Sequence, residues 1–324
     1  MQATTPAPAG TGPVGGTAGT SAASGTAPVN ARATAATGAA AGSNVRDLLL
    51  TALAPASWAT VYSVTAALLP DNRPMLAATL RALPAGLVLL VYNRKLPHGS
   101  WWWKSTVLAI LNFGAFLPLI FFAAYRLPGG VAATIGAVQP LMVAGFSLLV
   151  LRIRTSPPVL LAAAAGVGGV ALMTLTGKAA LDPWGVAAAL LAVGLIALSI
   201  VLTKKWGSGE SPLVMTGWQL TIAGALLTPF TLLGEGLPSH LTGANIVGYA
   251  YIGVVATAAA YPLFFRGIGR LAPTSVSLLS LVGPPVAAVI GVVAMDQTLT
   301  AWQVTGLVVA LAAVVAGQAL GRKS

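Results

Sequence analysis

Residues 118–140, PLIFFAAYRLPGGVAATIGAVQP, return 144 positions further along as residues 262–284, PLFFRGIGRLAPTSVSLLSLVGP. The register pairs Pro118 with Pro262, Phe121 with Phe265, Arg126-Leu127 with Arg270-Leu271, and Pro140 with Pro284. Four kinds of residue matching in one register argue against chance. Upstream, an offset of 138 pairs Pro74 with Pro212, Leu76 with Val214, Ala85-Gly86 with Ala223-Gly224, and Leu89 with Leu227, so the two halves differ by one short insertion or deletion.

The repeat is set in an apolar chain. Hydrophobic residues make up 56% of the 324 positions and charged ones 7%, against about 25% charged in an ordinary soluble domain, which excludes a soluble globular protein. From Arg46 onward the charges divide the chain into ten apolar intervals: 48–70, 74–93 (interrupted by Arg81), 105–125, 127–151, 155–177, 183–203, 211–234, 244–265, 271–295 and 297–320. Each is near the roughly 20 helical residues needed to cross a hydrocarbon core of about 30 Å. Barrel strands need about ten residues of alternating polarity instead, so the intervals predict helices.

Each half holds five spans, and an odd number sends the second copy into the membrane upside down. The expected fold is therefore an all-α membrane protein of ten transmembrane helices, arranged as two inverted five-helix repeats over 45–179 and 180–321. Residues 1–44 are mainly Ala, Gly, Thr, Pro and Ser, with no Leu, Ile, Phe, Trp or Tyr, and predict a disordered tail. They lack the charged start and apolar run of a secretory signal.

Lys and Arg number 17 against 6 Asp and Glu, a net charge of +11. These charges are sparse and lie between apolar runs, unlike a nucleic-acid footprint. With the N-terminus cytoplasmic, thirteen basic residues fall inside and only Arg73, Arg126 and Lys178 outside. The positive-inside rule then places both termini in the cytoplasm of a multi-pass cell-membrane protein. Trp101, Trp102 and Trp103 beside Lys104 read as an interfacial anchor, with a stacking platform for a ligand as the alternative. With no Cys and two His, in loops at His98 and His240, neither a metal site nor any other cofactor is expected.

Two segments, FFAAYRLPGGVAATIGAVQPLMVAGFSLLVL over 121–151 and its copy beginning FFRGIGRLAPTSVSLLSLVGPPVAAVIG at Phe264, resemble the signature segments of EamA-type permeases of the drug/metabolite transporter superfamily. MLAATLRALPAGLVLL with Arg81 is similar to that family's second helix, and WQLTIAGALL with Gln219 to its seventh. The family usually places a Glu after the fourth and ninth spans, where this chain has Arg152 and Asp296. The resemblance implies a bacterial inner-membrane permease, exporting amino acids or similar small metabolites. Its partners would be a small-molecule solute and the lipid bilayer, and no nucleic acid; a homodimer is left open.

A transporter site in an inverted repeat is expected near the midplane. Arg81, seven residues into the second span, carries an insertion cost of about 2.5–3.5 kcal/mol and needs a partner. With no Asp or Glu at mid-depth, that partner is a carbonyl, an amide, water or a ligand carboxylate, so Arg81 is either a clamp on the backbone or a contact for an anionic substrate group. Trp58 and Tyr62, four apart, share a helix face and form either a pocket wall or packing bulk. Asn112 is read as pocket lining. Gln139, beside Pro140, is read either as lining or as cover for the backbone defect the proline makes. Gln219 is the repeat equivalent of Arg81, and Tyr261 lines the cytoplasmic mouth or belongs to the aromatic belt. Ala162, Ala165, Gly166 and Gly169 give small-residue packing faces.

A membrane-embedded enzyme would need a nucleophile with its base, a carboxylate pair or a metal cluster at depth, and this sequence has none. A receptor-like scaffold without transport activity is compatible with the chemistry but leaves the inverted repeat unexplained. The acids Asp47, Asp71, Asp182, Glu210, Glu235 and Asp296 lie at span ends or in loops. That placement predicts either facilitated diffusion or coupling through a peripheral group.

Overall fold

The computed structural model describes residues 29–70, 73–124, 126–127, 129–174, 182–207, 209–238, 240–295 and 299–321. Contacts divide the chain into Met1–Gly42 and Ser43–Ser324, and the packing described below belongs to the second unit. Every regular element among the described residues is helical. In the first half these are α1 (Val29–Leu68), α2 (Pro74–Asn93), α3 (Trp101–Ala109), α4 (Phe116–Ala124), α5 (Gly129–Gly136), α6 (Gln139–Phe146) and α7 (Pro157–Thr174). The second half holds α8 (Pro183–Trp206), α9 (Pro212–Gly234), α10 (Gly243–Gly253), α11 (Ala260–Arg270), α12 (Pro273–Leu278), α13 (Gly283–Met295) and α14 (Ala301–Gly321). Among the described residues eight helical runs, from Pro74–Asn93 to Ala301–Gly321, are long and apolar enough to cross a membrane, and Pro157–Met173 is a shorter apolar helix. The chain is a multi-pass membrane protein.

Helix starts follow local chemistry. Proline opens α2, α8, α9 and α12, where its missing N–H costs nothing and its fixed φ suits the first turn. Asp182 caps α8 by accepting from Gly185 N at 2.9 Å, and Thr242 forms a reciprocal capping box with Asn245 at the start of α10. Helix α1 begins at Val29, so the backbone over 29–44 differs from the expected disordered tail; Ala, frequent there, has the highest helix propensity. The rest of that tail, 1–28, lies outside the described residues.

Two pairs of repeat-related helices pack against each other. A methyl group on Gly86 of α2 would lie 2.7 Å from Leu220 C in α9, and one on Gly224 of α9 would lie 2.6 Å from Leu83 Cα in α2. Gly217 meets Leu89 by the same measure, so contact positions rise along one helix as they fall along the other and the two run antiparallel. Under the 138-residue offset Gly86 corresponds to Gly224 and Leu83 to Thr221, which makes the crossing reciprocal, as around a two-fold axis. Helices α7 and α14 repeat this arrangement. Gly169 closes on Ala310 N, at 2.7 Å from a built methyl, and Gly166 on the Ala313 side chain, positions that exchange under the 144-residue offset. Only a residue without Cβ permits backbones this close.

The irregular turns also recur. Helices α3 and α4 are joined through a π-helical segment, Ile110–Gly114, and α10 and α11 through another, Val254–Ala259. The 144-residue offset carries the first onto 254–258. The helical path breaks at 137–138 before Pro140, and tightens to a 3₁₀ turn over Leu279–Val282 before Pro284, again at matched positions.

Candidate functional site

Arg81 lies seven residues into α2, about 10 Å along the helix, facing the π-helical segment between α10 and α11. There Thr257 donates its hydroxyl to Ile252 O, five residues back, at 2.7 Å. Arg81 Nε donates to Thr257 Oγ1 at 2.8 Å and Nη2 to Ala256 O at 3.3 Å. Trp58 of α1 donates Nε1 to the same Ala256 O at 2.9 Å. Arg81 thus uses the edge of the guanidinium formed by Nε and Nη2. Its Nη1 makes no hydrogen bond among the described residues, and it is not one of the sealed, unpartnered polar atoms.

The other half repeats the contact in neutral form. Asn112, in the π-helical segment between α3 and α4, donates Nδ2 to Gln219 Oε1 of α9 at 2.7 Å. Ser199 of α8 donates to Asn112 Oδ1. Asn112 corresponds to Ala256 and Gln219 to Arg81 under the two offsets, so one cross-repeat contact is made twice, once with a cation and once with an amide. Asn112, Ser199 and Gln219 are 2%, 1% and 1% exposed. Asn112 is therefore a closed network member in this state rather than part of an open surface. Ser199 was missed from the sequence, where a serine in an apolar run reads as a small packing residue; the offsets applied to Arg81 and Asn112 mark the contact it completes.

Trp58 also stacks with Tyr261 at 4.9 Å and Phe264 at 5.1 Å between ring centroids, and Tyr261 lies 4.7 Å from Phe113. Tyr261 is 6% exposed, at the centre of this aromatic cluster. That corrects its expected place at the mouth or in the belt: α11 runs on to Arg270, so Arg266 and Arg270 are helical, and Tyr261 sits about two turns from the end. The Tyr62 side chain lies outside the described residues. Gln139 opens α6, is half-buried, and makes no side-chain hydrogen bond among the described residues, so it does not bond across the break before Pro140. The three tryptophans divide. Trp101 is buried near Trp218, 6.1 Å between centroids, while Trp102 and Trp103 are about half exposed, as an interfacial anchor requires.

The described acids tie the helix ends. Asp47 pairs with Arg266 at 2.6 Å and Arg270 at 3.5 Å, Lys95 with Glu210 at 2.8 Å, and Arg126 with Asp182 at 3.4 Å. Glu235, at the end of α9, accepts from Met75 N and Leu76 N at 2.8 Å each, capping α2. The Gly185 N–H, foremost, and the Arg126 charge hold the Asp182 carboxyl below its usual range. Asp71 and Asp296 lie outside the described residues. Among those described, no cluster of three or more His, Asp or Glu offers a metal site.

A family model described as the EamA-like transporter family matches residues 46–175 and again 183–316. The chain belongs to that family. This EamA-like chain is 41% identical over 264 residues to Protein PecM of Dickeya dadantii, covering 81% of this chain and 89% of PecM. An uncharacterized inner membrane transporter, YedA of Escherichia coli K12, is 27% identical over 271 residues, 78% of this chain and 84% of YedA. A solved crystal structure superposes with a TM-score of 0.75 over 86% of this chain and 98% of its own, at 18% identity, which shows a shared fold. The EamA-like domain is thus present in two copies, and the protein is a membrane transporter.

Proposed function

We propose that the protein is a secondary permease of the cell membrane that exports amino acids or similar small carboxylate-bearing metabolites by alternating access, with both termini cytoplasmic and ten crossings in two inverted repeats. The observation that carries the substrate reading is the open Nη1 of Arg81, two hydrogen bonds away from an aromatic wall. A guanidinium gripped on one edge still presents its other fork to a carboxylate, and Trp58 with Tyr261 offers an apolar surface for the rest of the solute. Gln139, whose amide makes no hydrogen bond among the described residues, is a further candidate contact, and Tyr62 lies one turn from Trp58 on α1. Asn112 and Gln219 belong to this site through the second contact, which opens when the halves exchange roles.

Support for alternating access comes from the antiparallel, reciprocal packing of α2 on α9 and α7 on α14, since two similar halves can trade conformations at similar energy. Each of the ten apolar intervals holds a helix, which supports ten crossings. The ion pairs of the described acids at helix ends favour a carrier driven by its solute gradient over one with a titrating carboxylate at mid-depth. The deciding experiment is transport of labelled amino acids and small organic acids by proteoliposomes holding the purified full chain. Saturable movement of unmodified solute is expected. A panel that moves nothing, while the protein remains folded, would favour a scaffold without transport activity. A reporter fused after Ser324 is expected on the cytoplasmic side, and a periplasmic signal refutes the orientation.

A further inference from the structure

A cleft of about 350 Å³ lies between the start of α9 and the first two-thirds of α11 with the turn before it, and Arg81 is not among its lining residues. Pro212 and Leu213 form one wall and Ala259, Pro262 and Leu263 the other, with Arg266 beside them. The cleft continues the face on which Val247 and Val254 stand 62% and 63% exposed. In a multi-pass membrane protein such a face meets lipid tails rather than water. From Ala258 to Arg266 the cleft runs about 12 Å along the helix, from the helix end into the hydrocarbon.

Its end is cationic. Lys204 donates to Gly269 O and Leu271 O at 3.0 and 3.1 Å, which sets it beside Arg270. Arg266 and Arg270 share one carboxylate, Asp47. Three cations thus face one acid, while Glu210, next to the cleft residue Ser211, is matched by Lys95. Arg266 also keeps Nη1 buried without a partner, so its charge is offset only through the contact of Nη2 with Asp47.

We infer that the cleft holds an anionic phospholipid of the adjoining leaflet, one acyl chain along Pro212, Ala259 and Leu263 and the phosphate against Lys204, Arg266 and Arg270. An apolar slot with surplus positive charge at its water-facing end matches an amphiphile with a phosphodiester head, whereas a second copy of the chain would leave the surplus charge unmatched. In the orientation proposed above, that leaflet is the cytoplasmic one; the site itself does not depend on the transported solute.

The test uses delipidated full-length protein in detergent, supplied with phosphatidylcholine, phosphatidylglycerol or inorganic phosphate. Phosphatidylglycerol is expected to raise the thermal midpoint above the phosphatidylcholine value, and native mass spectrometry to show it retained on the order of tenfold better, from two uncompensated basic groups near a leaflet surface. Ala259→Trp, which fills the slot and leaves the cations, is expected to abolish that preference. Equal retention of the two lipids by the parent protein overturns the inference whether or not the variant folds. A preference that survives in folded Ala259→Trp overturns the placement in the cleft. If inorganic phosphate alone reproduces the midpoint rise, the site is a free-anion site, and the lipid assignment is wrong.

Discussion

Arg81 gives the sharpest test, because its cost and its gains can be set against each other. An arginine inside a span costs about 2.5–3.5 kcal/mol on insertion scales. Its two observed hydrogen bonds, to Thr257 Oγ1 and Ala256 O, are charge-assisted and contribute about 1.5–3 kcal/mol each. The difference lies between about zero and 3 kcal/mol in favour of the native residue. Arg81→Gln removes both sides of that balance and resembles the other half, where Gln219 stands, so it should lower stability by no more than about 3 kcal/mol. Arg81→Lys keeps the insertion cost and loses the planar fork, so it should be the less stable variant of the two. Transport of a carboxylate solute should fall at least about tenfold in both, since neither reproduces a bidentate contact. Thermal unfolding of purified variants, run beside solute binding on the same samples, separates the effects. If Arg81→Lys is as stable as the parent and binds solute equally well, the fork is irrelevant. If Arg81→Gln also binds normally, Arg81 is outside the site.

Three further outcomes are expected. Gly86→Ala and Gly224→Ala should each destabilise by about 1–3 kcal/mol, because the added methyl meets backbone rather than a side chain that can turn away; Gly145→Ala, with nothing within 4 Å, should be neutral or slightly stabilising, and equal melting shifts for all three would refute the crossing. Glu235→Ala should cost about 0.5–2 kcal/mol through loss of the α2 cap, read by thermal unfolding, with Glu235→Gln intermediate. Because the folded Asp182 carboxyl is held below its unfolded value, its contribution is full above about pH 4 and is lost as pH falls through the depressed value; Asp182→Asn should flatten the acid side of the stability profile.

Where charge and small residues decide the structure, the sequence is readable. The limits of α2, Pro74 to Asn93, coincide with an interval drawn from Arg73 and Arg94, because a charge at a span end has water to go to. Gly86 and Gly224, paired by alignment alone, both stand at the α2–α9 crossing. Reading failed where tertiary contacts outweigh local pattern. Arg266 and Arg270 looked like loop charges, but Asp47 on α1 pairs with both and the helix continues beneath them, which carries Tyr261 into the core. The π-helical turns at Asn112 and Thr257 leave no mark in periodicity, since one extra residue per turn is imposed by what the turn must contact. A carbonyl was among the partners expected for Arg81, as Ala256 O is, but a hydroxyl such as Thr257 Oγ1 was not.

The two repeat-related contacts are alike in position and unlike in chemistry, and this bears on how such a carrier would move. Charge-assisted bonds exceed neutral ones by about 1–1.5 kcal/mol apiece, so exchanging the roles of the halves would trade a strong contact for a weak one. A carrier with that imbalance rests, when empty, in the state that keeps Arg81 on Ala256 and Thr257. A ligand shifts such an equilibrium only by its differential affinity for the two states. A solute carboxylate on the free fork, formed by Nη1 and the second N–H of Nη2, neutralises the guanidinium charge and so weakens the charge-assisted contact that holds the resting state. Under the proposed function, the charge in one half therefore makes movement depend on occupancy, whereas two neutral contacts would let the empty protein exchange as readily as the loaded one.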